Sequence, residues 1–155
     1  MAVLEKYAVG PIATLMNAEL DGVASSTTLA AGAIQAGSYS NNVGGGGGDG
    51  YPLCELEFAL GGSFAPTLGS GVYVWFLRQP DGTNYEDGGA AIIPARPPNA
   101  VILFRNAAAP QRATISGIVL PPGNIKALIS HNLGTTLATG GVNTLKILPY
   151  TRQGV

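Results

Sequence analysis

The sequence predicts an all-β fold in which two antiparallel sheets pack against each other as a sandwich. Short apolar or alternating segments recur along the chain, and clusters of turn residues separate them. Of the 155 residues, 23 are Gly and 11 are Pro, whereas charged residues, which coat the exposed faces of helices, make up only 11%. Many short strands joined by Gly/Pro turns are typical of sandwiches and barrels. We expect a single domain over residues 1–155 with a jelly-roll-like strand order.

The first clear strand is predicted over residues 53–60, where apolar side chains alternate with polar ones. Glu55 and Glu57 share the polar face, so this strand is expected to be half buried with one wet face. Cys54 falls on the apolar face and is expected to be a small core residue. Residues 71–78 are apolar on both faces, which predicts a central strand covered on both sides.

The second half of the chain predicts four more strands. In the strand predicted over residues 112–120, apolar residues alternate with polar ones and place Ala113, Ile115 and Val119 on one face. Pro149 has no backbone N–H, so the last strand is expected to lie at a sheet edge or to end there. These four strands are predicted over residues 100–105, 112–120, 125–130 and 144–150.

The first fifty residues carry weaker strand signals. They are expected to form an extended N-terminal arm, over residues 1–22, plus one or two strands, although the apolar residues within 11–20 also fit helical spacing with Pro11 in the first turn. Residues 23–36 fit extended structure. Residues 38–50 contain five consecutive glycines and are expected to form a flexible loop.

The charge of the chain excludes one class of partner. Eight Lys and Arg against nine Asp and Glu give a formal net charge of −1, and nucleic-acid binding needs a basic footprint. We therefore expect no nucleic acid as a partner. No secretory leader or membrane span is expected either, which predicts synthesis in a cytoplasm and no membrane partner. So few charges indicate a surface that other molecules cover.

One loop offers oxygen ligands for a metal ion. Asp81, Asn84, Glu86 and Asp87 lie within seven residues, and carboxylate and amide oxygens on one loop can hold calcium. Their spacing departs from that of an EF-hand, however, and hairpin tips carry Asp, Asn and Gly for turn geometry alone. The turn is the favoured interpretation, with calcium as the alternative.

The remaining reactive residues do not assemble a catalytic set. His131 and Cys54 are the single histidine and the single cysteine, too few for a zinc site. The glycines of 44–48 are followed by neither the Lys nor the helix of a phosphate loop. Glu55 and Glu57 are two apart on a strand face, as any exposed strand allows. We predict no catalytic residue, no cofactor and no enzyme.

Three segments carry a resemblance to a known class of protein. They are the apolar strand closed by residues 80–85, the stretch 118–128, and the ending 137–150. Together they resemble small virion structural proteins of tailed bacteriophages. The resemblance implies a decoration (cement) protein on the outer surface of the capsid, which stabilises the shell by binding its major capsid protein, often as a dimer or trimer. It implies no catalytic residues.

Three alternative functions remain at this point. A carbohydrate-binding or host-recognition module on the virion would use Tyr85 and its carboxylates, with Trp75 and Tyr73 as a stacking platform. Another head or tail component is a close relative of the decoration hypothesis. A small hydrolase would depend on His131 with Ser130 or distant carboxylates.

Overall fold

A computed structural model of the chain describes residues 5–25, 38–41, 50–62, 65–86, 92–108 and 110–154. Within these ranges the chain forms nine strands and one turn of 3-10 helix over Ala18–Leu20. The strands are β1 (Glu5–Val9), β2 (Ala13–Met16), β3 (Ser38–Asn41), β4 (Leu53–Leu60), β5 (Gly71–Arg78), β6 (Ala100–Leu103), β7 (Gln111–Val119), β8 (Gly123–His131) and β9 (Thr144–Gly154).

The described strands form two antiparallel sheets, which confirms the predicted all-β sandwich. One sheet has the order β1-β9-β4-β7, with β2 also pairing with β9, and the other has the order β3-β8-β5-β6. The pairs are nested: β5 with β6, β4 with β7, β3 with β8, and β1 and β2 with β9. The nested pairs therefore form one long hairpin. This hairpin is folded over into two layers, in which β4 also pairs with β9 and β5 also pairs with β8.

The core lies between the two sheets and follows the alternation of the strands. In β4, Cys54, Leu56, Phe58 and Leu60 are fully buried while the residues between them are half-buried, as predicted. The Phe58 ring meets Phe104, at the end of β6, edge to face with 5.8 Å between centroids. Such pairs add to the stabilisation from apolar burial.

The outer face of the four-stranded sheet is covered around Trp75 by the chain itself. Trp75, Leu77 and Leu128 form a second buried cluster there, against which Tyr85 packs. Trp75 Nε1 donates a hydrogen bond to the Arg96 carbonyl at 3.0 Å, so the segments that follow β5 and precede β6 lie across this face. We call it the covered face. The two-sided burial predicted for 71–78 is confirmed.

The N-terminal residues contribute an edge strand, which accords with the expectation of an arm plus one or two strands in the first fifty residues. β1 and β2 follow one another along the same side of β9, and Leu15, Met16 and Leu20 are buried. The register shifts between Thr14 and Met16, which turns two consecutive apolar residues inward. This irregularity produces the apparent helical spacing, since only three residues form a 3-10 turn.

The structure bears on two other predictions for the first half of the chain, each only in part. Residues 38–41 form β3, so the predicted loop over 38–50 is wrong at its start. Residues 42–49 lie outside the described ranges. Of the segment 23–36, residues 23–25 are described and the others are not.

Pro149 lies in a central strand, which contradicts its predicted place at an edge or strand end. β9 continues to Gly154 with β4 on one side and β1 and β2 on the other. A residue in an antiparallel strand directs its N–H and C=O toward the same neighbour. Gly10 N donates to the Pro149 carbonyl at 2.8 Å, so the proline nitrogen faces the break between β1 and β2, where no ladder partner is needed.

A β-bulge overturns the predicted face of Val119. Cys54 pairs with Ile118 but Leu56 pairs with Ile115, so β7 has one extra residue in this interval. Gly117 takes up a φ of +76° there, as a glycine in such a bulge does. Beyond it the faces exchange: Ile118 packs against the core and Val119 is 69% exposed.

Candidate functional site

The outer face of the five-stranded sheet is the candidate site, and we call it the open face. Two adjoining hollows of about 240 and 280 Å³ lie on it, and Glu55 and Leu148 line both. β4 contributes the acidic residues and β9 contributes Leu148, whose partner in the register is Glu55. The open face thus combines an apolar floor with charged walls.

The charges on the open face alternate from strand to strand. Glu57 of β4 lies opposite Lys146 of β9 in the register, and on its other side it accepts a hydrogen bond from Arg112 of β7 at 3.2 Å. Arg112 is well exposed while Glu57 is only partly so. Exposed ion pairs of this kind contribute little to stability, which leaves these groups available to a partner of matching charge.

Apolar residues border the same surface. Val9 lines one hollow and Ile12 the other, and both side chains are mostly exposed. Tyr150 is held in place because its hydroxyl accepts a hydrogen bond from Gly117 N at 2.9 Å. Exposed apolar groups with fixed polar neighbours are typical of interaction surfaces.

The three predicted calcium ligands that the structure describes, Asp81, Asn84 and Glu86, are engaged by groups of the protein itself. Asp81 Oδ1 accepts hydrogen bonds from the backbone of Asn84 at 2.7 Å and of Thr83 at 2.8 Å, and Asp81 Oδ2 accepts one from the Asn84 amide. These hydrogen bonds lower the pKa of Asp81, and the bond from the Asn84 backbone has the largest effect. Glu86 instead contacts two arginines, and Asp87 lies outside the described residues. The pair of Asp81 and Asn84 is a turn, as the favoured interpretation expected.

Glu86 fastens the polypeptide over the covered face. Its carboxylate contacts Arg78 at 2.8 Å and Arg96 at 2.9 Å, and Arg96 also donates to the Phe76 carbonyl and to Asn99. Burial acts to raise the pKa of Glu86, but the hydrogen bonds from Arg96 and Arg78 outweigh it and hold the pKa below its usual value. Tyr85, next to it, lies under the Lys126 ammonium, 4.2 Å from the ring centroid.

Replacing Glu86 by Gln is expected to loosen this cover. The change removes two charge-assisted contacts at a partly exposed site, so we expect a loss of about 0.5–1 kcal/mol. Fluorescence of Trp75, the single tryptophan, should shift to longer wavelength at lower urea than in the parent protein. Asp81→Asn is the matched control, since it removes the same charge from the turn alone. Equal shifts in both variants would contradict the role of Glu86.

Neither His131 nor Cys54 is placed for catalysis. Burial raises the pKa of the Cys54 thiol to about 12, so the reactive thiolate is suppressed. His131 is buried at the end of β8, and its Nε2 donates to the Val23 carbonyl at 3.0 Å. Its Nδ1 is buried with no partner among the described residues. The burial of Cys54 matches its expected place as a small core residue.

The environment of His131 predicts a loss of stability in mild acid. Burial lowers the pKa of His131 below 6.5, although the hydrogen bond to Val23 opposes the shift. The unfolded chain therefore binds a proton before the folded one does, and stability decreases as the pH falls below about 6.5. We expect urea midpoints to decrease between about pH 7 and pH 5, and His131→Gln to flatten this slope. An unchanged slope in that variant would show that another group is responsible.

The described residues contain neither a cluster suited to a metal ion nor a helix suited to crossing a membrane. Among the described residues, no group of three or more His, Cys, Asp and Glu side chains could hold a metal ion. In the same part of the chain, no helix is long and apolar enough to cross a membrane. No protein-family model, curated protein or solved structure matches the chain.

Proposed function

We propose that the protein is a non-enzymatic structural component of a virion, a decoration protein that binds the outer surface of the capsid and braces its major capsid protein. The observation that carries this proposal is the open face, where apolar and oppositely charged side chains lie together on one sheet. The resemblance of the chain to virion proteins of tailed bacteriophages sets the class of partner.

The strand order supports a jelly roll, the fold that the resemblance implies. In the nested pairing, strands from the first half of the chain pair in reverse order with strands from the second half. Two Greek keys rolled into two four-stranded layers have this connectivity. We infer that β1 and β2 are two halves of one interrupted jelly-roll strand, because both pair with the same side of β9.

The asymmetry between the two outer faces supports a docking role for the open one. The covered face buries Trp75 and Leu77 beneath the chain's own polypeptide. On the open face, by contrast, apolar Ile12 and charged Lys146 line a hollow on the sheet surface. A face of this kind on many copies can brace a shell even when each contact is weak, because the copies act together.

The positions of the reactive side chains favour a binding role over catalysis. Cys54 and His131 are buried away from both hollows. Glu57 forms an ion pair with the well-exposed Arg112, and the pair is accessible to a charged partner. What the hollows offer a ligand is therefore a pattern of charge and apolar area, which suits recognition of another protein surface.

Co-sedimentation with capsids tests the proposal. Shells assembled without this protein are mixed with the purified chain and pelleted, and saturable binding with increased resistance of the shells to heat is expected. Absence of both would overturn the proposed function. Leu148→Asp is expected to weaken binding about tenfold or more, whereas Leu68→Asp, the same change at an exposed turn, should not. Binding that both variants retain would overturn the assignment to the open face.

A further inference from the structure

β6 is an edge strand that lacks the protection found on β7, the corresponding edge strand of the other sheet. Among the strands that the structure describes, it terminates the four-stranded sheet next to β5, and its sequence, Ala-Val-Ile-Leu, contains neither a charge nor a proline. β7, the corresponding edge of the five-stranded sheet, carries Arg112 and the bulge at Gly117. Charges and bulges on an edge prevent it from pairing with another chain. β6 has neither device.

The register shows which backbone groups of β6 face outward. Phe104 N donates to the Ser70 carbonyl, and Ile102 pairs with Val72. Since backbone groups alternate in direction along a strand, the even-numbered residues bond to β5. The N–H and C=O groups of Val101 and Leu103 therefore point away from β5, toward the free side of the edge.

The side chains of the same two residues are exposed. Val101 is 36% and Leu103 62% exposed, while Ala100 and Ile102 between them are buried. Both side chains lie on the outer face of the sheet, opposite Tyr73 and Gly71 respectively. Outward backbone groups and exposed apolar side chains thus coincide on two neighbouring positions of one edge.

We propose that β6 pairs with β6 of a second copy of this chain, antiparallel about a two-fold axis next to Ile102. In that register Val101 of one copy opposes Leu103 of the other, and the outward backbone groups form about four hydrogen bonds. A second copy fits because the strand is self-complementary: two neutral apolar strands meet without the like-charge repulsion that a charged edge would suffer. Val101 and Leu103 of both copies then form one apolar cluster.

This dimer does not depend on the proposed role on a capsid. The pairing uses the edge of the four-stranded sheet, whereas the open face belongs to the five-stranded sheet. A dimer would present two open faces, but each copy keeps its own. Failure of capsid binding therefore leaves the dimer untouched, and the reverse also holds.

Sedimentation equilibrium of two matched double variants tests the pairing. The parent chain is expected to change from 15.7 kDa to twice that mass between about 1 and 500 µM. V101K/L103K opposes lysine to lysine across the axis and is expected to raise the dissociation constant about tenfold or more. V101K/L103E opposes lysine to glutamate and is expected to restore the dimer relative to V101K/L103K. Both variants alter only exposed side chains, and circular dichroism verifies their fold.

Three results would overturn the pairing. One is a parent chain that stays monomeric over the whole concentration range. Another is an oligomer that V101K/L103K leaves intact, which would place the contact on a different surface. The third is equal weakening in both double variants. Hydrogen exchange gives an independent reading, since the amides of Val101 and Leu103 should gain protection in the parent dimer and lose it in V101K/L103K.

Discussion

Replacing Val74 by Asp is expected to unfold the domain at room temperature. Val74 is fully buried in β5 between the two sheets, with Ala100 and Ile129 as its cross-strand partners. A carboxylate at this position has no cation to pair with in the core cluster, and its burial costs roughly 4 kcal/mol or more. Against a total stability of about 5–15 kcal/mol, that loss removes much or all of the folded population.

Circular dichroism and a urea titration of the Val74→Asp variant measure this effect. Val119→Asp is the matched control, because the same substitution falls on a strand residue that is mostly exposed. We expect the control to change stability by about 0.5 kcal/mol. A Val74→Asp variant that melts like the parent protein would contradict the placement of β5 between the sheets.

Truncating Phe58 to Ala is expected to produce the second-largest loss. Phe58 is fully buried in β4 and contacts Phe104 from the chain segment that leaves the opposite sheet. Removal of a buried phenyl ring costs about 3–5 kcal/mol, which for a chain of this length lowers the Tm by roughly 10 °C. The lost contacts join the two layers, so the cooperativity of unfolding should also decrease.

The matched control for this prediction is Phe58→Leu. Leucine keeps most of the buried volume and loses only the edge-to-face contact, so we expect about half of the destabilisation or less. Equal losses for the two substitutions would mean that the ring geometry, and not the filled volume, dominates at this position. A negligible loss for Phe58→Ala would contradict its burial between the sheets.

Strands with a clear period of two were predictable from the sequence. In β4 the alternation of Leu56 and Phe58 with Glu55 and Glu57 corresponds directly to inward and outward faces, because a strand turns successive side chains to opposite sides. In β5 a continuous apolar run indicated burial on both faces, and the cluster around Trp75 confirms it. Local pattern was sufficient for these elements.

The errors occurred where a strand is irregular. The bulge at Gly117 reverses the faces of Ile118 and Val119, and no local pattern marks which of several glycines opens a bulge. The missing N–H of Pro149 predicts a sheet edge, but the sequence does not show which part of the chain lies beside that nitrogen. The break between β1 and β2 at Gly10, which makes the proline acceptable in a central strand, lies far away in the sequence.

The candidate site was predictable only in its acidic half. Glu55 and Glu57 were recognised as a polar strand face from their spacing alone. Arg112 of β7, Lys146 of β9 and Ile12, which precedes β2, join them, and the pairing register that brings them together depends on contacts between distant parts of the chain. In the sequence, Arg112 and Lys146 are marked only by their place on the polar face of a predicted strand. Ile12 has no such mark.

The sequence by itself determined the class of fold, the inward faces of the regular strands and the shortage of charge. These properties follow from the order of apolar, polar and turn residues over a few positions, which is the range over which a strand repeats. Only the tertiary structure decided that one outer face is covered and the other open, and that β6 forms an unprotected edge. Those outcomes depend on which strands become neighbours. A local sequence pattern does not determine the pairing energy between segments that are many residues apart.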